Sequence, residues 1–68
     1  MKVELKHNIH IGNIDNGEYF LYNNHLYRKI MIVRNCCGET EVKVTTELKE
    51  EALIRIINDV VRLVEIIN

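Results

Sequence analysis

The chain has no proline, no tryptophan and only three glycines among its 68 residues, while 47% of its side chains are apolar. Disordered segments have the reverse balance, so this composition indicates a folded chain. No apolar run approaches the ~20 residues of a membrane-spanning helix. Lys2, Glu4 and Lys6 interrupt what would be the core of a signal peptide. A cytosolic, reducing setting is therefore expected, with Cys36 and Cys37 as thiols. Neither charge sign dominates: nine Lys and Arg stand against ten Asp and Glu, for a net charge of −1. Residues 1–46 hold six basic and five acidic side chains, and residues 47–68 hold three and five. Without a basic excess the chain is not suited to living on a phosphate backbone, although one small anionic ligand is not excluded.

A chain of this length makes one small domain, close to the size at which oligomerisation or a metal often supplies what the core cannot. Ten Ile and seven Val favour sheet and a buried helix face. Met1–Lys6 alternates, with Val3 and Leu5 on one side and Lys2, Glu4 and Lys6 on the other, which predicts a half-buried strand that His7–Ile11 can extend. Gly12–Gly17 is turn-rich and expected as an exposed loop. The strongest hairpin signal follows. Tyr19–Tyr22 and His25–Arg28 flank Asn23-Asn24, and Asn tolerates the positive φ of a type I′ turn. Such a turn pairs Tyr22 with His25, Leu21 with Leu26, Phe20 with Tyr27 and Tyr19 with Arg28. One face then collects Phe20, Tyr22, His25, Tyr27 and Lys29, the other Tyr19, Leu21, Leu26, Arg28 and Ile30. Neither face is cleanly polar, so both are expected to be covered in part. Ile30–Val33 prolongs the second strand, Cys37-Gly38-Glu39 reads as a reversal, and Glu41–Thr46 alternates with Val42 and Val44 inward.

Residues 47–68 set the main expectation. At 100° per residue, Ala52, Leu53, Ile54, Ile56, Ile57, Val60, Val61, Leu63, Val64 and Ile67 form one apolar arc opposite Glu51, Arg55, Asn58, Asp59, Arg62 and Glu65. Thr45 or Thr46 is placed to cap such a helix, and Glu47, Glu50 and Glu51 suit its first turn. Glu51–Arg55 and Arg55–Asp59 are spaced as i,i+4 pairs. The arc is wider than the ~100° stripe one packing partner needs, which points to self-association through Leu53, Ile56, Ile57, Val60, Val64 and Ile67. The alternative is a break at Asn58-Asp59 with Val60–Ile66 as a final strand, which the β-branched content supports. The predicted fold is α+β: a three- to four-stranded, small barrel-like antiparallel sheet over 1–46, then one long C-terminal helix over 47–68, in a homodimer or larger assembly.

Chemistry is sparse. No Cys-x2-Cys pair exists, and neighbouring cysteines on a strand point to opposite faces, so no metal site is expected among Cys36, Cys37, His7, His10 and His25. No nucleophile signature surrounds either cysteine, and nearly all the carboxylates alternate with lysine or fill the helix's polar arc. No catalytic residue and no cofactor are expected. The best binding candidates are Tyr19, Tyr22, His25, Tyr27, Arg28 and Lys29, since aromatic faces can stack and arginine can hold an anion bidentately.

Gly17–Ile30 resembles the opening hairpin of small phage and prophage proteins with SH3-like barrels, where an aromatic strand, a short Asn/Gly turn and a Leu-Tyr-x-x-Ile strand recur. The long C-terminal helix departs from their pattern. High Asn and Ile with few Gly and no Pro also look like an early gene of an AT-rich phage. The resemblance implies a non-enzymatic accessory protein in the host bacterial cytoplasm that binds and inhibits a host defence protein. The alternatives are a sponge holding a small nucleotide signal between protomers through Tyr22, Tyr27, Arg28 and Lys29, and a small DNA-associated regulatory protein.

Overall fold

A computed structural model describes residues 2–55 and 58–67 of the chain. Six strands form one antiparallel sheet: β1 (Lys2–His10), β2 (Tyr19–Tyr22), β3 (His25–Arg34), β4 (Thr40–Thr45), β5 (Glu51–Ile54) and β6 (Val60–Ile67). Their order across the sheet is β1-β6-β2-β3-β4-β5. The fold is all-β, and the α+β prediction is overturned: among the described residues the only helical element is a 3-10 turn at Ile11–Asn13.

Over its described residues the predicted 47–68 helix is instead turns and two strands. The Thr46 N–H donates to the Glu50 carbonyl (2.8 Å), the Lys49 N–H donates to the Thr46 carbonyl (2.9 Å), and Lys49 takes a positive φ of 61°. Thr46 does cap a backbone group, since its Oγ1 accepts the Glu50 N–H (3.3 Å), but the element capped is a hairpin turn. Glu47 and Glu51 are drawn away from any helix dipole, Glu47 to the Leu26 N–H and Glu51 to the ammonium of Lys43 across the sheet. Arg55 pairs with Glu39 and Glu41 rather than with Glu51 or Asp59. The alternative of a final strand after Asn58-Asp59 is the one realised. A strand covered on both faces is apolar throughout, and periodicity alone does not separate such a run from a buried helix. β6 approaches that case: it lies between β1 and β2 with Val61 and Leu63 buried on one face and Val64 on the other, and only Arg62 and Glu65 interrupt its apolar run, both exposed.

The face that carries the core includes Phe20 opposite Leu63 and Tyr27, Val61 opposite Ile9, and Val42 and Val44 opposite Ile54 and Ala52. Residues from both edge strands pack against the same cluster. A flat six-stranded sheet would hold its edges about 24 Å apart, so the sheet must curl around this cluster. The Gly12–Gly17 loop is not wholly exposed: Ile11 and Ile14 are buried and close one end of the core. β1 is a strand as expected but is not half-buried by Val3 and Leu5, which lie on the outer face and are exposed. Register shifts in β1 between Leu5 and Asn8, and in β3 between Lys29 and Met31, exchange which side chains face the core.

Candidate functional site

The β2–β3 hairpin holds the predicted register pair for pair, from Tyr22 opposite His25 to Tyr19 opposite Arg28. Asn23 and Asn24 take φ of 51° and 64°, the left-handed pair that a type I′ turn requires. Because opposite residues share a face, this register distributes the six candidate residues over two surfaces. Tyr22, His25, Tyr27 and Lys29 lie on the core side with Phe20, and Tyr19 and Arg28 lie on the outer side.

The core-side group is largely committed to structure. The Phe20 and Tyr27 rings stand 5.6 Å apart. The Tyr22 hydroxyl donates to Asp59 Oδ2 (3.1 Å), and this hydrogen bond, with burial and the Asp59 charge, holds the phenol pKa above its usual value. Lys29 is only 3% exposed, and its ammonium donates to the carbonyls of Ile14 and Ile11. Burial pushes its pKa down, and the charges of Asp15 and Glu18 oppose that shift. Lys29 thus ties the 3-10 turn to the sheet, and its charge is not presented to the outside. His25 is exposed and lies 3.6 Å from Glu47.

The outer side is different. Arg28 lies over the Tyr19 ring at 5.6 Å, and its Nε donates to the Gly17 carbonyl (3.0 Å). The stack and this one hydrogen bond fix the guanidinium while its terminal nitrogens remain available, and among the described residues Arg28 makes no ion pair. It lines a cleft of about 370 Å³ with Tyr19, Leu26, Thr45, Lys49 and Ile66. Glu47 also borders the cleft, but its Oε1 accepts the Leu26 N–H at 2.7 Å. The cleft therefore offers an apolar floor, two cations, Arg28 and Lys49, that make no ion pair among the described residues, and the one carboxylate of Glu47, which leaves an excess of positive charge. That arrangement suits a carboxylate or another anionic group carried on an apolar body. Sequence reasoning found Tyr19 and Arg28 but missed Lys49 and Ile66, because both were assigned to a helix and only strand pairing brings them beside β2 and β3.

The four predicted assembly residues that are described, Leu53, Val60, Val64 and Ile67, do not form one arc. Val64 is buried between Leu5 and Tyr19, its neighbours on β1 and β2. Leu53 is 53% exposed on β5, Val60 is 61% exposed at the start of β6, and Ile67 is exposed near its end. Ile56 and Ile57 lie outside the described residues. No group of three or more His, Cys, Asp or Glu side chains is placed to hold a metal ion among the described residues. No described helix is long and apolar enough to cross a membrane. Comparison of the chain with protein-family models, with curated proteins and with solved structures found no match.

Proposed function

We propose that the protein is a non-enzymatic binding module that inhibits a host bacterial protein, of the kind phages use against bacterial defence, and that it acts as a homo-oligomer in the host cytoplasm. The observation that carries the binding role is the Arg28 guanidinium, stacked on Tyr19 without a carboxylate partner among the described residues, at the mouth of a largely apolar cleft. A preorganised guanidinium of this kind is a natural anchor for an acidic side chain of a partner, because little side-chain entropy remains to be lost on binding. Support for self-association now comes from Met31 and Leu53, exposed on the outer face on either side of Lys43, in place of a helix arc. The nucleotide-sponge reading is weaker, since two of its four residues are occupied, Tyr22 with Asp59 and Lys29 with two backbone carbonyls.

Affinity capture from bacterial lysate with wild-type protein and Arg28→Glu tests the proposal, with native mass spectrometry of the eluates. A discrete protein held by the wild type and lost from folded Arg28→Glu is the expected result. Loss of an anchoring arginine of this type costs about 2 kcal/mol or more, roughly 30-fold in affinity. A nucleotide retained in place of a protein would transfer the function to the sponge reading. Equal capture by both proteins would remove Arg28 from the interface.

A further inference from the structure

The β3–β4 hairpin ends in the rows Val33 opposite Glu41 and Arg34 opposite Thr40, with Arg55 from the chain after β5 lying against Glu39 and Glu41. Asn35 builds the turn at its tip. Its N–H donates to the Glu39 carbonyl (2.8 Å), its carbonyl accepts the Gly38 N–H (3.0 Å), and its Oδ1 accepts the N–H groups of both Cys37 (2.9 Å) and Glu39 (3.0 Å). Gly38, at a φ of 81°, supplies the left-handed residue the reversal needs.

Cys36 and Cys37 lie in this turn as exposed free thiols, with their Sγ atoms 3.9 Å apart. The argument that adjacent cysteines diverge holds for a strand, and these two are not in one. The separation is far beyond a disulfide bond of about 2.05 Å. It matches the roughly 3.8 Å between two thiolates on one tetrahedral zinc with bonds of about 2.3 Å. The chain's own neighbouring acid is committed elsewhere, because both Glu39 carboxylate oxygens bond Arg55 at 2.9 and 3.0 Å. A structural tetrahedral ion needs four ligands, and this tip brings two.

We propose that Cys36 and Cys37 are half of a four-thiolate site for a zinc-like divalent cation, completed by the same pair from a second copy of the chain. The ion would join two hairpin tips end to end. On binding, each of the four thiols releases a proton to solvent and forms one sulfur–metal bond, with no change of oxidation state, so acidification favours release. The exposure of both cysteines gives the second copy access, and Arg55 offsets the charge of Glu39 two residues from Cys37.

The test is light scattering and metal analysis on reduced, chelator-stripped full-length protein. Zinc at about half an equivalent per chain, the ratio a shared four-thiolate site requires, should at least double the mass measured in chelator, and raise it further where each starting oligomer carries two tips, and remain bound at that ratio. Cobalt in its place should give thiolate-to-metal absorption. Cys36→Ser and Cys37→Ser should each lose the doubling with an unchanged circular dichroism spectrum. One zinc per chain without a mass change, no zinc retained, or doubling that survives in the double serine variant would each overturn the proposal. Self-association through the sheet face is present with and without zinc, so it does not enter the comparison, and binding at the Arg28 cleft fails or succeeds independently.

Discussion

At the scale of single residues, Lys29 shows how one side chain can look like a ligand contact and serve as a strut. Its stem is packed in the core and its ammonium holds two loop carbonyls, so Lys29→Ala removes packing and orphans the Ile14 carbonyl, while the Ile11 carbonyl keeps the Ile14 N–H. We expect a loss of about 2–4 kcal/mol in urea unfolding. The depressed pKa also gives a signed pH effect. As pH rises through the folded-state value, the folded chain releases a proton that the unfolded chain keeps up to about 10.5, so stability rises with pH. Tyr22 works oppositely: its raised pKa keeps the folded phenol protonated where the unfolded one ionises, and stability falls above about 10. In Tyr22→Phe the urea midpoint should therefore climb as pH approaches 10.5, and adding Lys29→Met should flatten that climb. Lys6, whose pKa is held up by its hydrogen bond to Glu65, pulls the other way near 10.5, so a flat profile in Tyr22→Phe with Lys6→Met added would mean that the Lys29 ammonium is not desolvated.

At the scale of elements, the β2–β3 hairpin was legible to the register because two signals agree. Asn23-Asn24 dictates the turn, and aromatic and branched residues on either side demand strands. Asn24, at a φ of 64°, is the sensitive position. Asn24→Val should cost about 1–2 kcal/mol through left-handed strain, whereas Asn24→Gly should be neutral or slightly stabilising; thermal unfolding of the two variants checks the order. β6 was the reverse case. Its apolar residues fit a helical arc as well as a strand, and the break at Asn58-Asp59 carries no Gly or Pro to force the choice. What selects the strand is pairing with β1 and β2, and these partners lie far away in sequence.

At the scale of the whole molecule, one sheet curls over a core that both edges share, leaving apolar residues on the outer face. Burial on that face is uneven, and substitutions should follow it. Leu53→Asp should leave stability within about 0.5 kcal/mol, as surface changes do, and should shift light-scattering mass toward 8.0 kDa in chelator if the face mediates assembly. Val64→Asp should unfold the chain, because a carboxylate would be buried without a partner in a site 3% exposed. Unchanged mass for Leu53→Asp would place assembly elsewhere.

Local chemistry determined the turn at Asn23-Asn24, the reversal at Gly38 and the inward pair Val42 and Val44, since each depends on near neighbours. It also set out Tyr19 and Arg28 as a face. Only the tertiary structure decided that the C-terminal segment is strand, that Lys29 is internal, and that Lys49 and Ile66 complete the Arg28 cleft. The physical reason is common to all three: strand pairing satisfies backbone hydrogen bonds at long range, so the partner that selects the conformation is absent from the local pattern.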